Sequence, residues 1–198
     1  MIDLRHYHIT PFILVVLGMS AGLGALSGFL QHHGVEHHGW IGGVSVVGLT
    51  GGLLKVYDQW LWRLPVFRWL VRVPCIAGNY TGRVEYIYKG TPGKKRIDAE
   101  VIQSASRVCV HCKFFSTDPA LPETTKSRSI HADLVDRDGL WQLCMLYENE
   151  GERINATTSA HDGFAVLDVH ARGILEGHYF TGRETRGAMV LERRSDKD

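Results

Sequence analysis

Residues 9–31 run for 23 positions without a formal charge. A bilayer's hydrocarbon core needs roughly 20 residues of helix to cross it, so this stretch predicts a membrane-spanning helix. A secretory signal peptide is the competing reading, because Ala21, Ala25 and Ser27 are small. A signal peptide, however, usually has a shorter apolar core and is not followed at once by another apolar run.

Here a second run does follow: residues 39–54 are uncharged, and beyond them Lys55 can snorkel while Tyr57, Trp60 and Trp62 suit the membrane interface. As the return leg of a hairpin it predicts a second span. Lys55, Arg63, Arg68 and Arg72 against Asp58 then place both termini in the cytoplasm by the positive-inside rule. Between the runs lies HHGVEHH, where four histidines and Glu36 could hold a metal, although Gly34 reads first as a turn. Small residues recur at four-residue spacing: Gly18 and Gly22, Gly24 and Gly28, Gly39 and Gly43, Gly48 and Gly52. Such rows let helix backbones approach closely in lipid, within one hairpin or between several. Residues 59–73, QWLWRLPVFRWLVRV, predict an interfacial helix interrupted near Pro65. The domain boundaries expected are a transmembrane hairpin at 1–58, a juxtamembrane linker at 59–73 and a soluble domain at 74–198.

Of 22 Lys and Arg, five lie before Val73, and of 21 Asp and Glu, three do, which leaves 17 basic and 18 acidic groups in the remainder. No bulk basic field of the kind that binds DNA or RNA polymers is present. Four cysteines at irregular spacing, Cys75, Cys109, Cys112 and Cys144, favour a reducing compartment over a secreted disulfide framework.

From Gly78 onward the helical period gives way to a period of two. Strands are expected from Gly78 to about Tyr88 and over residues 96–103, 107–115, 127–135, 140–147, 163–169, 174–182 and 188–194. Turn chemistry falls between them at Thr91-Pro92-Gly93, at residues 136–139 and at His161-Asp162-Gly163. Eight short antiparallel strands without a helix predict a small up-and-down barrel, lipocalin-like, just wide enough for one small ligand. The fold class expected is thus a membrane-anchored all-β protein: two N-terminal transmembrane helices, then an eight-stranded antiparallel β-barrel. Residues 116–126 and 149–160 would be loops at its mouth.

A repeated pattern marks the first and seventh strands: GNYTGR at residues 78–83 and GHYFTGR at residues 177–183. A glycine within a strand marks a bend or a close backbone approach, with an aromatic filling the space left. Tyr179, Thr181 and Arg183 share a face and could project a ring, a hydroxyl and a guanidinium together, with Arg186 after the turn. A stacking surface and a bidentate phosphate clamp are what a nucleotide pocket needs. Tyr147 and Asn149 add a second ring and an amide able to read a base edge. The alternative is that these are ordinary barrel residues.

CVHC at residues 109–112 has the spacing of half a zinc site, but no second pair follows and a strand sends the two sulfurs to opposite faces. His161, Asp162, Asp168 and His170 come without a nucleophile elbow, Walker loop, dinucleotide fingerprint or HExxH motif. No catalytic residue, cofactor or resident metal is expected, and the chain does not read as an enzyme.

Four stretches, VPCIAGNYTGRVEY, LWQLCMLYENE, ILEGHYFTGRETRG and AMVLERR, follow the two apolar runs and the tryptophan-rich juncture. In that order they resemble the CBASS antiphage effectors built from a two-helix membrane anchor and a cyclic-nucleotide-binding β-barrel, over nearly the whole chain. The resemblance implies a bacterial inner-membrane protein whose cytoplasmic barrel binds a cyclic dinucleotide. A partner synthase makes that ligand on phage infection, with no stable complex implied. In that family binding leads to homo-oligomerisation, membrane disruption and death or arrest of the infected cell. It puts Tyr147, Asn149, Tyr179, Thr181, Arg183, Arg186 and Tyr80 in the pocket, Tyr80 standing where the family often has a tryptophan. The main alternative is a membrane-anchored lipocalin-like carrier of a lipid or other apolar small molecule, with Phe and Leu lining and no mouth arginines. A tethered metal-dependent hydrolase and a constitutive pore are further rivals.

Overall fold

The computed structural model describes residues 4–33, 41–116, 123–151 and 159–195. Two compact units emerge, one of Met1–Val73 with Ser104–Ser106 and the other of Pro74–Gln103 with Arg107–Asp198.

In the first unit, α1 (Ile9–His32) and α2 (Ile41–Gln59) are joined outside the described residues, where the HHGVEHH segment mostly falls. Within α1, Ile9–Leu30 is long and apolar enough to cross a membrane; Phe12, packed on Tyr7, is buried, and the rest of the span is exposed or half-buried. Among the described residues no other helix meets that standard. α2 has 19 residues and carries Lys55 and Asp58 near its end, so its axial length of about 28 Å falls just short of a typical hydrocarbon core.

The two helices touch where Ser20 Oγ lies 3.5 Å from Thr50 Oγ1. Their outer ends are tied by the chain entering α1. Tyr7 bridges to Val71, His8 N–H donates to the Leu70 carbonyl at 3.0 Å, and Arg72 N–H donates to the His6 carbonyl at 2.8 Å. The Tyr7 hydroxyl donates to Asp58 Oδ1 at 2.9 Å, while the Ala105 N–H donates to the Asp58 carbonyl at 2.9 Å.

Two expectations are corrected here. The stretch 59–73 is not one interfacial helix. It forms two 3-10 turns, Leu61–Arg63 and Arg68–Leu70, on either side of Pro65, because proline lacks an N–H and pushes Leu64 to extended backbone, φ −72° and ψ 138°. Trp62 is fully buried while Trp60 and Trp69 are exposed. The glycine rows do not form the contact within the hairpin either. A Cβ added at Gly18, Gly22, Gly24, Gly28, Gly48 or Gly52 would meet nothing within 4 Å. Gly43 lies in α2, and Gly39 lies outside the described residues.

The second unit is a closed barrel of eight strands, each antiparallel to the next: β1 (Gly78–Tyr88), β2 (Thr91–Gln103), β3 (Val108–Phe115), β4 (Glu123–Arg137), β5 (Leu140–Asn149), β6 (His161–His170), β7 (Ile174–Thr181) and β8 (Arg186–Arg193). β8 returns to β1, Tyr80 opposite Arg193 and Ile87 opposite Arg186. Closure leaves no edge along the ring. Period-two alternation sends Ile97, Val101, Val110, Leu134, Leu143, Leu167, Leu175 and Leu191 inward, and these aliphatic chains fill one end.

Turn chemistry falls partly where expected. Asp138 and Gly139 turn β4 into β5 with φ 55° and 87°, the two-residue type I′ connection that Asp-Gly favours. The first hairpin, however, turns at Lys89 and Gly90, φ 47° and 82°, rather than at Thr91-Pro92-Gly93, which lies within β2. Pro92 is tolerated because β2 gains its β3 partner only from Arg96 onward. Likewise His161 and Asp162 begin β6, opposite Asn149 and Glu148, and are not a turn.

The repeated Thr-Gly-Arg triplet has two different placements. In β1 a Cβ on Gly82 would overlap the Val190 carbonyl oxygen of β8, and in β7 a Cβ on Gly177 would overlap that of Val166 in β6. These are close backbone approaches. Gly182, by contrast, sits just past β7, where an added Cβ would come no nearer than 3.9 Å, to the Asp162 carbonyl oxygen. Gly82→Ala and Gly177→Ala are therefore expected to cost about 1–3 kcal/mol each by overpacking, and Gly182→Ala to stay within about 0.5 kcal/mol. Melting of the full chain in detergent checks the contrast, and equal shifts for all three would contradict it.

Candidate functional site

At the barrel end opposite the aliphatic plug, the interior opens into a pocket of about 180 Å³. Odd strands bring their C-terminal ends to this mouth and even strands their N-terminal ends, because neighbours are antiparallel. Inward positions two apart on each strand then stack toward the opening: Val84, Tyr86 and Tyr88 on β1, Tyr147 and Asn149 on β5, Tyr179 and Thr181 on β7.

Cross-strand glycines make room for three of the rings. Tyr86 stands opposite Gly93, Tyr147 opposite Gly163 and Tyr179 opposite Gly187. A Cβ on Gly93 or Gly163 would strike the facing ring itself, and one on Gly187 would lie 2.9 Å from the Tyr179 ring. Each tyrosine thus lies across a glycine of its neighbour, which fixes the ring on the inner wall. Tyr147 and Tyr179 are 7% and 8% exposed, and burial pushes both phenols well above the ordinary tyrosine range. They remain neutral O–H groups at physiological pH.

The rim is cationic. The Arg183 guanidinium lies 5.2 Å from the Tyr88 ring centroid; its Nη2 donates to the Tyr88 hydroxyl and its Nη1 to the Ser159 carbonyl, both at 3.4 Å. The Arg183 hydrogen bond, with Lys89 nearby, holds the Tyr88 phenol below its usual range. The turn that presents Arg183 closes on Thr181, whose N–H donates to the Thr185 carbonyl at 2.9 Å and whose hydroxyl accepts the Arg183 N–H at 3.3 Å. Lys95 and His161 also line the pocket, and among the described residues no carboxylate does. Neutral aromatic walls, hydroxyls and a cationic rim suit an anion that carries flat rings.

Of the predicted residues, Tyr147, Asn149, Tyr179, Thr181 and Arg183 come together here. Tyr80 does not. It sits in the plugged end, 1% exposed, with its hydroxyl donating to the Ile76 carbonyl at 2.7 Å and Arg193 over its ring. The repeat suggested otherwise, but β1 and β7 run parallel in space through β8, and Tyr80 lies near the start of β1 whereas Tyr179 lies near the end of β7. Arg186 also falls outside, exposed on the outer face opposite Phe180.

Asn149 lines the pocket with its amide already committed. Nδ2 donates to Ser127 Oγ at 2.8 Å and to Thr125 Oγ1 at 3.4 Å, and Oδ1 accepts the Gly151 N–H at 2.9 Å. The residue ties β4 to β5 at the mouth end of β5 instead of offering a free edge. Sequence reasoning missed Tyr86, Tyr88, Lys95, Phe114, Thr125, His161 and Thr185. The signal for the first two was present: they continue the inward alternation of Val84 toward the open end.

Cys109 and Cys112 fall on opposite faces as expected. Cys112 is buried in the core, its thiol pushed up to about 12 by burial, whereas the Cys109 sulfur lies 3.4 Å from His111 Nε2 on the outside.

A raised phenol pKa in the folded state means that the unfolded chain loses its proton first as pH rises. The contribution of Tyr147 and Tyr179 is fully present below the ordinary tyrosine value of about 10 and is lost above it. Melting temperature is expected to fall steeply beyond about pH 10, and Tyr147→Phe to flatten that fall. An unchanged alkaline slope would show that the ring's burial does not hold in solution.

A family model described as Cap15, cyclic dinucleotide receptor domain, matches residues 71–193. The chain is also 26% identical over 157 residues to the CD-NTase-associated protein 15 of Staphylococcus schleiferi, covering 78% of this chain and 81% of that one. The matched residues begin just before the barrel and run to the end of β8, so they take in every strand that lines the pocket. The chain therefore belongs to the Cap15 cyclic dinucleotide receptor family.

Proposed function

We propose that this chain is a membrane-anchored CBASS effector that works by binding and carries out no catalysis. Its barrel takes a cyclic dinucleotide made by a partner synthase, and occupancy gathers the helices of several copies, disrupting the bacterial inner membrane during abortive infection. The observation that carries the reading is the mouth of the receptor barrel, where neutral tyrosine faces line a pocket together with Arg183 and Lys95, with no carboxylate among the described lining residues. A ligand with two bases offers faces for the rings, and its phosphodiesters offer charge for the cations.

The anchor reading rests on α1, with α2 as the return leg. Although short, α2 ends beside Lys55, whose ammonium can reach the headgroups while its stem stays in the apolar layer. The Tyr7–Val71 bridge joins the chain entering α1 to the chain leaving α2, which supports a hairpin whose two legs open on one side of the bilayer, and Lys55, Arg63, Arg68 and Arg72 favour the cytoplasmic side. Gly18, Gly22, Gly24, Gly28, Gly48 and Gly52 face open space within a single chain, which supports their packing against helices of other copies. Such a switch requires the ligand to bind the gathered state more tightly than the dispersed one.

Calorimetry of the full chain in detergent against cyclic di-AMP, cyclic di-GMP and cyclic GMP–AMP tests the sensor step. Saturable binding of one member is expected, weakened about 10- to 100-fold by Arg183→Ala, the range for loss of a hydrogen bond to a charged group. Arg186→Ala, outside the pocket, should bind as the parent does. Failure of the folded chain to bind any cyclic nucleotide, with uptake of a fatty-acid probe instead, would favour the lipocalin-like carrier.

A further inference from the structure

Between the buried side chains of Trp62 and Leu70, seven consecutive residues of the juncture, RLPVFRW at 63–69, are all exposed. Val66 is 73% exposed, Trp69 55%, Leu64 47% and Phe67 36%. Soluble surfaces rarely carry so contiguous an apolar stretch without a partner. The stretch is also held in shape. The Phe67 and Arg68 N–H groups both donate to the Leu64 carbonyl, at 3.0 and 3.1 Å. From α2 the Tyr57 hydroxyl donates to the Phe67 carbonyl at 3.0 Å, and the two rings meet edge to face at 6.3 Å. These bonds present the apolar side chains outward on a fixed backbone.

Pairing within the helical unit fixes the level of this stretch. Immediately after it, the Leu70 carbonyl accepts the His8 N–H and Val71 bridges to Tyr7, while Ile9 is the first residue of the apolar window in α1. The stretch therefore adjoins the start of that window, the level at which aromatic rings and the heads of Lys and Arg side chains are favoured in a bilayer. Charge follows the same order. Residues 59–73 hold Arg63, Arg68 and Arg72 and no carboxylate. Arg68 stands exposed between Phe67 and Trp69, and the nearest carboxylate in sequence, Asp58, accepts the Tyr7 hydroxyl.

We infer that residues 63–69 are a docking surface for acidic phospholipid: Leu64, Val66, Phe67 and Trp69 enter the layer beneath the headgroups, and Arg68 meets a headgroup phosphate. An acidic lipid is selected over a zwitterionic one because the latter sets its own cation against its phosphate, which leaves an arginine little net charge to attract. Two 3-10 turns thus do the interfacial work for which a helix was expected, with proline-shaped backbone in place of a helical face. The inference rests on the anchor reading and deepens it, naming the headgroup chemistry at the juncture and the residues that choose it.

The test places the full chain in phosphatidylcholine nanodiscs that contain a minor fraction of one brominated lipid, either phosphatidylglycerol or phosphatidylcholine brominated along its acyl chains, and reads tryptophan quenching. Subtracting the emission of Trp69→Phe from that of wild type isolates the Trp69 signal. Brominated phosphatidylglycerol should quench Trp69 more strongly than brominated phosphatidylcholine, because one arginine near the surface enriches an acidic lipid about 5-fold. The excess should shrink in Arg68→Gln and at high salt, while quenching by brominated phosphatidylcholine stays the same in Arg68→Gln as in wild type. Equal quenching of wild type by the two lipids overturns the inference, and so does an excess that Arg68→Gln leaves undiminished. Trp69 emission that neither lipid quenches, from a chain that co-elutes with the discs, overturns it as well. A chain that does not co-elute with the discs would instead remove the anchor reading on which the inference rests.

Discussion

Hydrogen bonding of β8 back to β1 closes the ring, and the width of that ring governs everything the barrel can do. Eight strands enclose a space that ordinary side chains just fill, and over half its depth this barrel is filled by Leu, Ile and Val. Room for a ligand can come only from removing side chains at one end without collapsing the wall. Gly93, Gly163 and Gly187 do this, each leaving a place that a tyrosine from the facing strand occupies by lying against the sheet. The interior stays open in the middle, and its lining turns from aliphatic chains to aromatic faces.

That same arrangement sets the chemistry of the mouth. Rings held against the wall are desolvated, so Tyr147 and Tyr179 stay protonated. Tyr88, nearer solvent and bonded to Arg183, moves the other way. Buried polar groups at the mouth end of β4 and β5 bond to each other: Asn149 spans Ser127, Thr125 and Gly151, which satisfies buried donors and acceptors that would otherwise cost about 1–3 kcal/mol apiece. Net attraction for anions therefore comes from the rim, where Arg183 is placed by a short turn whose Glu184 adopts a left-handed φ of 62°.

The helical unit follows a different rule. Its buried apolar side chains, Tyr7, Phe12, Tyr57, Trp62, Leu70 and Val71, gather at its outer end, while the rest of the Ile9–Leu30 window is left largely uncovered. What fixes it is the junction at its outer end, where Tyr7, Asp58, His8 and Val71 bond across the two legs. The chain spends its specific polar contacts there and leaves the glycine-lined helix surfaces uncovered.

Period-two alternation and period-free apolar runs determined the class of each part from the sequence alone. A run of 23 uncharged residues predicts a helix long enough to cross a membrane, and eight alternating segments with short connections must pair with their neighbours. Local chemistry also placed Tyr147, Asn149, Tyr179, Thr181 and Arg183 on shared faces, because side-chain direction along a strand depends only on spacing. Which end of the barrel a residue reaches depends on strand direction and register, which only the closed ring decides. That is why Tyr80, within a motif that matches Tyr179, lies in the plug, and why Tyr86 and Tyr88 at the far end of the same strand line the pocket. Hairpin positions shifted for a related reason: Lys89-Gly90 turns the chain although Thr91-Pro92-Gly93 has the stronger turn composition, because Gly93 is needed opposite Tyr86. A glycine's role as a turn or as a seat for a ring is set by what the neighbouring strand brings against it, and no single strand's sequence carries that information.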